Sequence, residues 1–120
     1  MKKRLLIVED SDFSRDLLVQ IFEDTYDLEL ASDGRSAVEL ATATRPDLIL
    51  MDIGLPRMGG LEAVRAIRAS AASVPIIAVS SHVMPGDKER ALDAGCDDFV
   101  TKPIDDLMLV ELVGRHVGLR

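Results

Sequence analysis

Apolar residues in this chain come in short runs that stop abruptly at a polar or charged residue. Leu5-Leu6-Ile7-Val8 ends at Glu9-Asp10, Leu48-Ile49-Leu50-Met51 at Asp52, Ile76-Ile77-Ala78-Val79 at Ser80, and Phe99-Val100-Thr101 at Lys102-Pro103. Continuous apolar runs of this length read as strands covered on both faces, as in a parallel sheet. Leu28-Glu29-Leu30-Ala31 alternates instead, which places it at a sheet edge with one face less covered. Helix-period segments lie between the runs. The first is expected over Asp12–Asp24, with Phe13, Leu17, Leu18, Ile21 and Phe22 on one face. The turn Asp33-Gly34 leads into a second over Arg35–Thr44, stopped ahead of Pro46. A loop marked by glycine and proline, Gly54–Gly60, precedes a third helix carrying Leu61, Val64 and Ile67, with Glu62 and Arg65 on its polar side. Val74-Pro75 opens the fourth strand, a fourth helix runs from near Pro85 to a cap at Gly95, and a fifth spans about Asp105–Val117.

Five strands alternating strictly with five helices predict an α/β fold, a doubly wound three-layer sandwich with right-handed crossovers. A four-stranded variant follows if the short Phe99 run is not a strand. The C-terminal ends of parallel strands lie side by side, and ligands of such sheets bind at that edge. Here the edge gathers the carboxylates of Glu9, Asp10 and Asp52, the Ser80 hydroxyl and the Lys102 ammonium. In the fifth helix, Leu107, Val110, Val113 and Val117 form a face expected to pack on the sheet. Met108, Leu109 and Leu112 then fall on the opposite side beside His116, as a stripe for a partner or a second copy.

At 120 residues the chain is expected to be one domain, 1–120, large enough to bury a core. Three Phe and one Tyr are its only aromatic residues, so that core must be aliphatic. A net charge of −7 with scattered basic residues argues against direct nucleic-acid binding. The apolar run after Lys2-Lys3-Arg4 is too short for a signal peptide, and no stretch approaches a membrane span. A lone Cys96 without metal-ligand neighbours reads as a packing residue and suits a reducing cytoplasm.

Three carboxylates that close together repel, so either one is protonated or a cation is bound. The ligands are all oxygens, which favours Mg²⁺ or Mn²⁺ over Zn²⁺. Asp52 is the candidate nucleophile, because a carboxylate can accept a phosphoryl group as an acyl phosphate. Lys102 supplies a positive charge for the equatorial oxygens of the transferring group. Pro103, directly after it, can take a cis bond that aims the lysine inward. Ser80 is placed to bond a phosphate oxygen, and Phe99 reads equally as a core aromatic or a mobile one.

Over essentially its whole length the chain resembles the receiver domain of two-component response regulators. The motifs that carry the likeness are Leu5-Leu6-Ile7-Val8-Glu9-Asp10-Ser11, Pro46-Asp47 through Met51-Asp52-Ile53-Gly54-Leu55-Pro56-Arg57-Met58-Gly59-Gly60, Pro75-Ile76-Ile77-Ala78-Val79-Ser80-Ser81-His82, and Ala94-Gly95-Cys96-Asp97-Asp98-Phe99-Val100-Thr101-Lys102-Pro103. The resemblance implies a flavodoxin-like (βα)5 fold with strand order 2-1-3-4-5. It implies that Asp52 is the phosphoacceptor, served by a sensor histidine kinase or a histidine phosphotransfer protein. It further implies that Asp10, Asp52 and the Gly54 backbone carbonyl hold Mg²⁺, with Glu9 acting through water. Lys102 would pair with the phosphate, and Ser80 and Phe99 would form the switch pair. Output would pass through the surface of the fourth helix, fifth strand and fifth helix to an effector, and the chain would be no enzyme beyond accepting and losing its own phosphoryl group. Ser81 stands where the family usually has alanine, and Phe99 where tyrosine is commoner. Gly54 and His82 occupy variable positions that tune dephosphorylation.

Two readings compete. A haloacid-dehalogenase-type phosphohydrolase would use Asp10-Ser11-Asp12 as its nucleophile motif and Asp97-Asp98 as a metal pair, but leaves Asp52-Ile53-Gly54-Leu55-Pro56 without a role. A phosphorylation-independent interaction module on the same fold would typically lack an acidic or lysine position, and none is missing. A flavin fold fits worst, because an acidic loop after the first strand repels a phosphate. Starting at Met1 and ending at Arg120, the chain reads as a stand-alone regulator or as a piece of a larger regulator or hybrid kinase.

Overall fold

The computed structural model describes residues 2–55, 59–70, 73–81 and 84–118. The strands are β1 (Arg4–Val8), β2 (Asp27–Ala31), β3 (Leu48–Asp52), β4 (Ile76–Ser80) and β5 (Asp98–Thr101). The helices are α1 (Asp12–Phe22), α2 (Gly34–Thr44), α3 (Gly60–Ser70), α4 (Asp87–Ala94) and α5 (Asp106–Val117). All strands are parallel, in the order β2-β1-β3-β4-β5, so the flavodoxin-like doubly wound architecture holds and the Phe99 run is a strand. β2 lies at an edge, as its alternation predicts, with Leu30 exposed and Glu29 half-buried.

The two faces of the sheet are packed differently. On one face Leu6, Val8, Ile49, Met51, Ile76 and Ala78 meet α2, α3 and α4, whose buried residues are mostly alanines: Ala37, Ala41, Ala63, Ala91 and Ala94. Small side chains let three helices approach the same face. On the other face Leu5, Ile7, Leu48, Leu50, Ile77 and Val79 meet the larger Leu18, Phe22, Leu109, Leu112 and Val113 of α1 and α5. Cys96 is buried against the first cluster, and burial pushes its thiol up to about 11, as befits a packing residue.

Helix boundaries follow local capping. The side chain of Ser11 accepts from the Ser14 N–H at the start of α1, and Asp33 and Asp105 do the same for α2 and α5. α4 starts at Asp87, later than Pro85. The Asp87 side chain instead accepts the Met84 N–H at 2.8 Å, closing a turn before left-handed Gly86 (φ 90°). β4 begins at Ile76; Pro75 contributes only its carbonyl, which accepts from the Ile49 N–H. At the N-terminal end of the sheet Arg68 acts as a clamp. It donates to the Gly95 carbonyl at 2.9 Å, to the Val74 carbonyl and to Asp97 at 2.8 Å, and Asp97 also accepts from the Ile76 N–H.

Two expectations about helix faces are corrected. Leu109 and Leu112 are buried with Val113, whereas Leu107 is 84% exposed and Val110 45%. Both sets fit a spacing of three and four, but only the Leu109 row continues to His116, which meets Asp98 of β5 at 3.3 Å. Leu109 and Leu112 therefore cannot be a partner stripe. Phe13 is 80% exposed and not part of the α1 core face. A step of four residues overshoots a helical turn by about 40°, so the row Ile21-Leu17-Phe13 winds off the sheet, while Leu18 and Phe22 stay on it. Leu109→Ala should cost about 2–5 kcal/mol of stability, and Leu107→Ala less than about 0.5 kcal/mol. Urea unfolding of the two variants checks the assignment; equal costs would restore the original face.

Candidate functional site

The β-strand register brings the run ends together. Val8 pairs with Met51 and Asp52 with Val79, so Glu9 and Asp10 emerge beside Asp52, one residue short of Ser80 on the next strand. Carboxylate oxygens of Glu9, Asp10 and Asp52 lie within 4.8 Å of one another. Glu9 and Asp52 are buried and Asp10 is exposed.

Lys102 reaches this cluster from beyond β5. Its backbone N–H donates to the Ser80 carbonyl at 2.8 Å, and the Lys102–Pro103 bond is cis. Its Nζ donates to Glu9 Oε1 at 2.7 Å and stands 3.8 Å from Asp52 Oδ2. Asp52 Oδ1 accepts the Gly54 N–H at 2.8 Å. Ser80 is buried next to this group. Strand alternation puts Ser80 on the same face as Ala78, whose register partner is Phe99, so Ser80 and Phe99 share a face. Phe99 is half-buried against the cluster under α2, α3 and α4.

The two buried carboxylates respond oppositely to this crowding. Burial pushes Asp52 up to about 6, reinforced by its hydrogen bond with Glu9 and the Glu9 charge, against which the Gly54 N–H and Lys102 act. Burial also opposes ionisation of Glu9, but the bonds from Lys102, Asp52 and the Ser11 N–H outweigh it and hold Glu9 below its ordinary value. Of the two, Asp52 is the carboxylate that burial and the Glu9 charge make more ready to hold a proton. The alternative resolution, a cation, suits the same atoms: hard carboxylate oxygens, one of them exposed, with one ammonium among the described residues to offset them.

Two supports were not legible as site residues. Ser11 not only caps α1; its N–H donates to Glu9 Oε2 at 3.1 Å, fixing the carboxylate toward Lys102. Gly60 starts α3 directly against the Asp52 backbone, where an added Cβ would stand 2.3 Å from Ile53 Cα and 2.5 Å from the Asp52 carbonyl oxygen. The paired glycines Gly59-Gly60 were the available signal. Pro56, Arg57, Met58 and His82 lie outside the described residues. Asp97 and Asp98 sit at the N-terminal end of β5, tied to Arg68 and His116, and are not brought to the cluster.

A model of the response regulator receiver domain matches residues 5–114. The chain belongs to the response regulator receiver family. It is 36% identical to the polar-differentiation response regulator DivK of Brucella anthropi, over 98% of each chain. It is 37% identical to hybrid signal transduction histidine kinase I of Dictyostelium discoideum over 96% of this chain, which spans 7% of that kinase. Among solved structures, the receiver domain of a sensor histidine kinase from Pseudomonas aeruginosa has a TM-score of 0.91 and 35% identity, covering 98% of this receiver and 99% of that chain. That structure holds a magnesium ion in its active site cleft. A CheY-like receiver from Methanospirillum hungatei has a TM-score of 0.93 at 27% identity, covering 98% and 95%.

The opposed shifts fix a pH signature. A group that binds its proton more tightly folded than unfolded stabilises at low pH and loses that contribution as pH rises. For Asp52 the loss falls between the ordinary 3.8 and about 6. Glu9 acts the other way, its contribution present above the ordinary 4.5 and lost at more acid pH. Without divalent cations, the thermal midpoint of the wild type should therefore fall between about pH 5 and pH 7, and that of Asp52→Asn should fall less. Parallel profiles for the two proteins would contradict the Asp52 assignment.

Proposed function

We propose that this receiver is a phosphorylation-dependent signalling switch in which Asp52 accepts a phosphoryl group from a histidine kinase or a histidine phosphotransfer protein. An oxygen of the Asp52 carboxylate attacks phosphorus, the phosphorus–nitrogen bond of the donor phosphohistidine breaks, and the imidazole leaves with its electron pair. The product is an acyl phosphate on Asp52. The observation that carries this reading is Lys102, held by Glu9 at 2.7 Å with its charge 3.8 Å from Asp52. It is positioned beforehand where negative charge accumulates.

Mg²⁺ held by Asp10, Asp52 and the Gly54 carbonyl, with Glu9 through water, would neutralise the equatorial phosphoryl oxygens. Mn²⁺ would take the same ligands. The exposed Asp10 leaves the site open to solvent and donor, while the Gly54 N–H orients one Asp52 oxygen and leaves the other for attack. Transfer replaces the single charge of the Asp52 carboxylate with a phosphoryl group that carries roughly −1.5 to −2 charges and several strong acceptors beside Lys102 and Ser80. Ser80 then turns toward the phosphate and Phe99, on the same face, moves into the space it leaves. The α4-β5-α5 surface changes shape and an effector or output domain reads the change, a population shift set by how much better one state holds the phosphate. Phe99 carries no hydroxyl, so its signal is a change of shape with no new hydrogen bond. The chain acts as a switch with no separate substrate, in a cytoplasmic setting.

The relatives include both a short regulator and a hybrid kinase, so either context fits this receiver. The phosphohydrolase reading loses its metal pair, because Asp97 and Asp98 are engaged at the far end of β5. A phosphorylation-independent role loses its rationale in a site that keeps all its acidic groups and its lysine. Asp52→Asn should abolish labelling by a small phosphodonor in Mg²⁺. Lys102→Met should lower the labelling rate by roughly 10²-fold or more, the usual cost of one electrostatic donor. Persistent labelling of Asp52→Asn would refute the assignment.

A further inference from the structure

The sheet-facing row of α1 ends in a charge. Phe22 and Leu18 are buried on the sheet, and one more step back along that row reaches Arg15. The Arg15 side chain is only 22% exposed. Its stem is set by the helix, where the Arg15 N–H donates to the Ser11 carbonyl at 2.9 Å. One amino group of the guanidinium donates to the Glu9 carbonyl at 3.3 Å, and the other forms an ion pair with Asp12. Both contacts use the rigid planar fork of a single guanidinium.

The charge of Arg15 works against a metal ion at the neighbouring carboxylates. It also opposes the helix dipole, because Arg15 closes the first turn of α1. Its hydrogen bonds work the other way. The Glu9 carbonyl belongs to the peptide unit that precedes the Asp10 Cα. The Ser11 N–H belongs to the unit that follows it, and donates to Glu9 Oε2 at 3.1 Å. Peptide units are planar, so the chain turns at Asp10 only through its φ and ψ. With one plane held by Arg15 and the other by Glu9, both angles are set, and so is the direction of the Asp10 side chain.

We infer that Arg15 is a positioning residue for Mg²⁺ binding, holding the Asp10 backbone so that its carboxylate is aimed before the ion arrives. The inference rests on the reading that Asp10 and Asp52 hold Mg²⁺. Within the carboxylate cluster Asp10 is the exposed member, whereas burial already restrains Glu9 and Asp52. Ordering a free residue on binding costs conformational entropy, and a backbone held beforehand is spared that cost. Arg15 acts through Asp10 and does not itself touch the ion.

The test needs no phosphodonor. Mg²⁺ is titrated into the full chain, and the Gly54 amide is followed by nuclear magnetic resonance to give a dissociation constant. Arg15→Met should raise that constant about tenfold, the lower end of the cost of losing a residue that orients a metal ligand. Arg15→Lys keeps the charge but has no fork to hold the Glu9 carbonyl and Asp12 together, so its constant should fall between the two. The metal-free amide spectrum of each variant should keep the wild-type dispersion, which separates lost positioning from lost folding. An effect of charge alone has the opposite sign: Arg15→Met would bind Mg²⁺ more tightly, and Arg15→Lys would match the wild type. Either result would overturn the inference, as would an unchanged constant in Arg15→Met. A wild-type chain whose Gly54 amide ignores Mg²⁺ would instead refute the metal reading itself, and the inference with it.

Discussion

Two buried carboxylates share one ammonium at the C-terminal edge of the sheet, and most of the structure serves to hold them there. Glu9, Asp52 and Lys102 come from the ends of three different strands. Buried charges are costly unless they are paired and hydrogen-bonded. The Ser11 N–H on Glu9, the Gly54 N–H on Asp52 and the Glu9 carboxylate on the Lys102 ammonium meet that requirement one by one. The pairing is incomplete, since one lysine cannot neutralise two carboxylates, and the deficit falls on Asp52. Burial and the Glu9 charge push the Asp52 carboxylate up to about 6, so its negative charge is under-compensated there.

The sheet makes that imbalance possible. Parallel strands covered on both faces supply a rigid floor, and their register brings Val8, Met51 and Ala78 into line just below the charged group. Alanines under α2, α3 and α4 let three helices cover one face, while larger residues of α1 and α5 fill the other. Gly60 then lets the start of α3 sit directly on the backbone that presents Asp52. At the opposite end the Arg68 clamp ties α3 to the starts of β4 and β5. Chemistry and fastening are thus at opposite ends of the same strands.

Much of this was legible in the pattern of apolar runs. Four runs ending at Glu9, Asp52, Ser80 and Lys102 announced both the strands and the edge, because a strand buried on both faces has no reason to stop at a charge unless the charge has a place to go. The alternation in Leu28–Ala31 likewise marked the sheet edge. What the pattern could not resolve was helix rotation. In α5, apolar residues occupy nearly every turn on two sides, and only the packing of Leu109 and Leu112 decides between them. Phe13 misled for a related reason, since spacing of four drifts around the helix. Ser11 and Gly60 were hidden because their roles are played by a backbone N–H and by the absence of a side chain.

Phosphoryl transfer is proposed to fall on Asp52, where the charge imbalance lies. The most direct measurement is the site of modification. The chain is treated with a small phosphodonor in Mg²⁺, the acyl phosphate is trapped by borohydride reduction, and peptides are mapped by mass spectrometry. Reduction is expected at Asp52 alone. Reduction at Asp10, or trapping at neither residue, would contradict it.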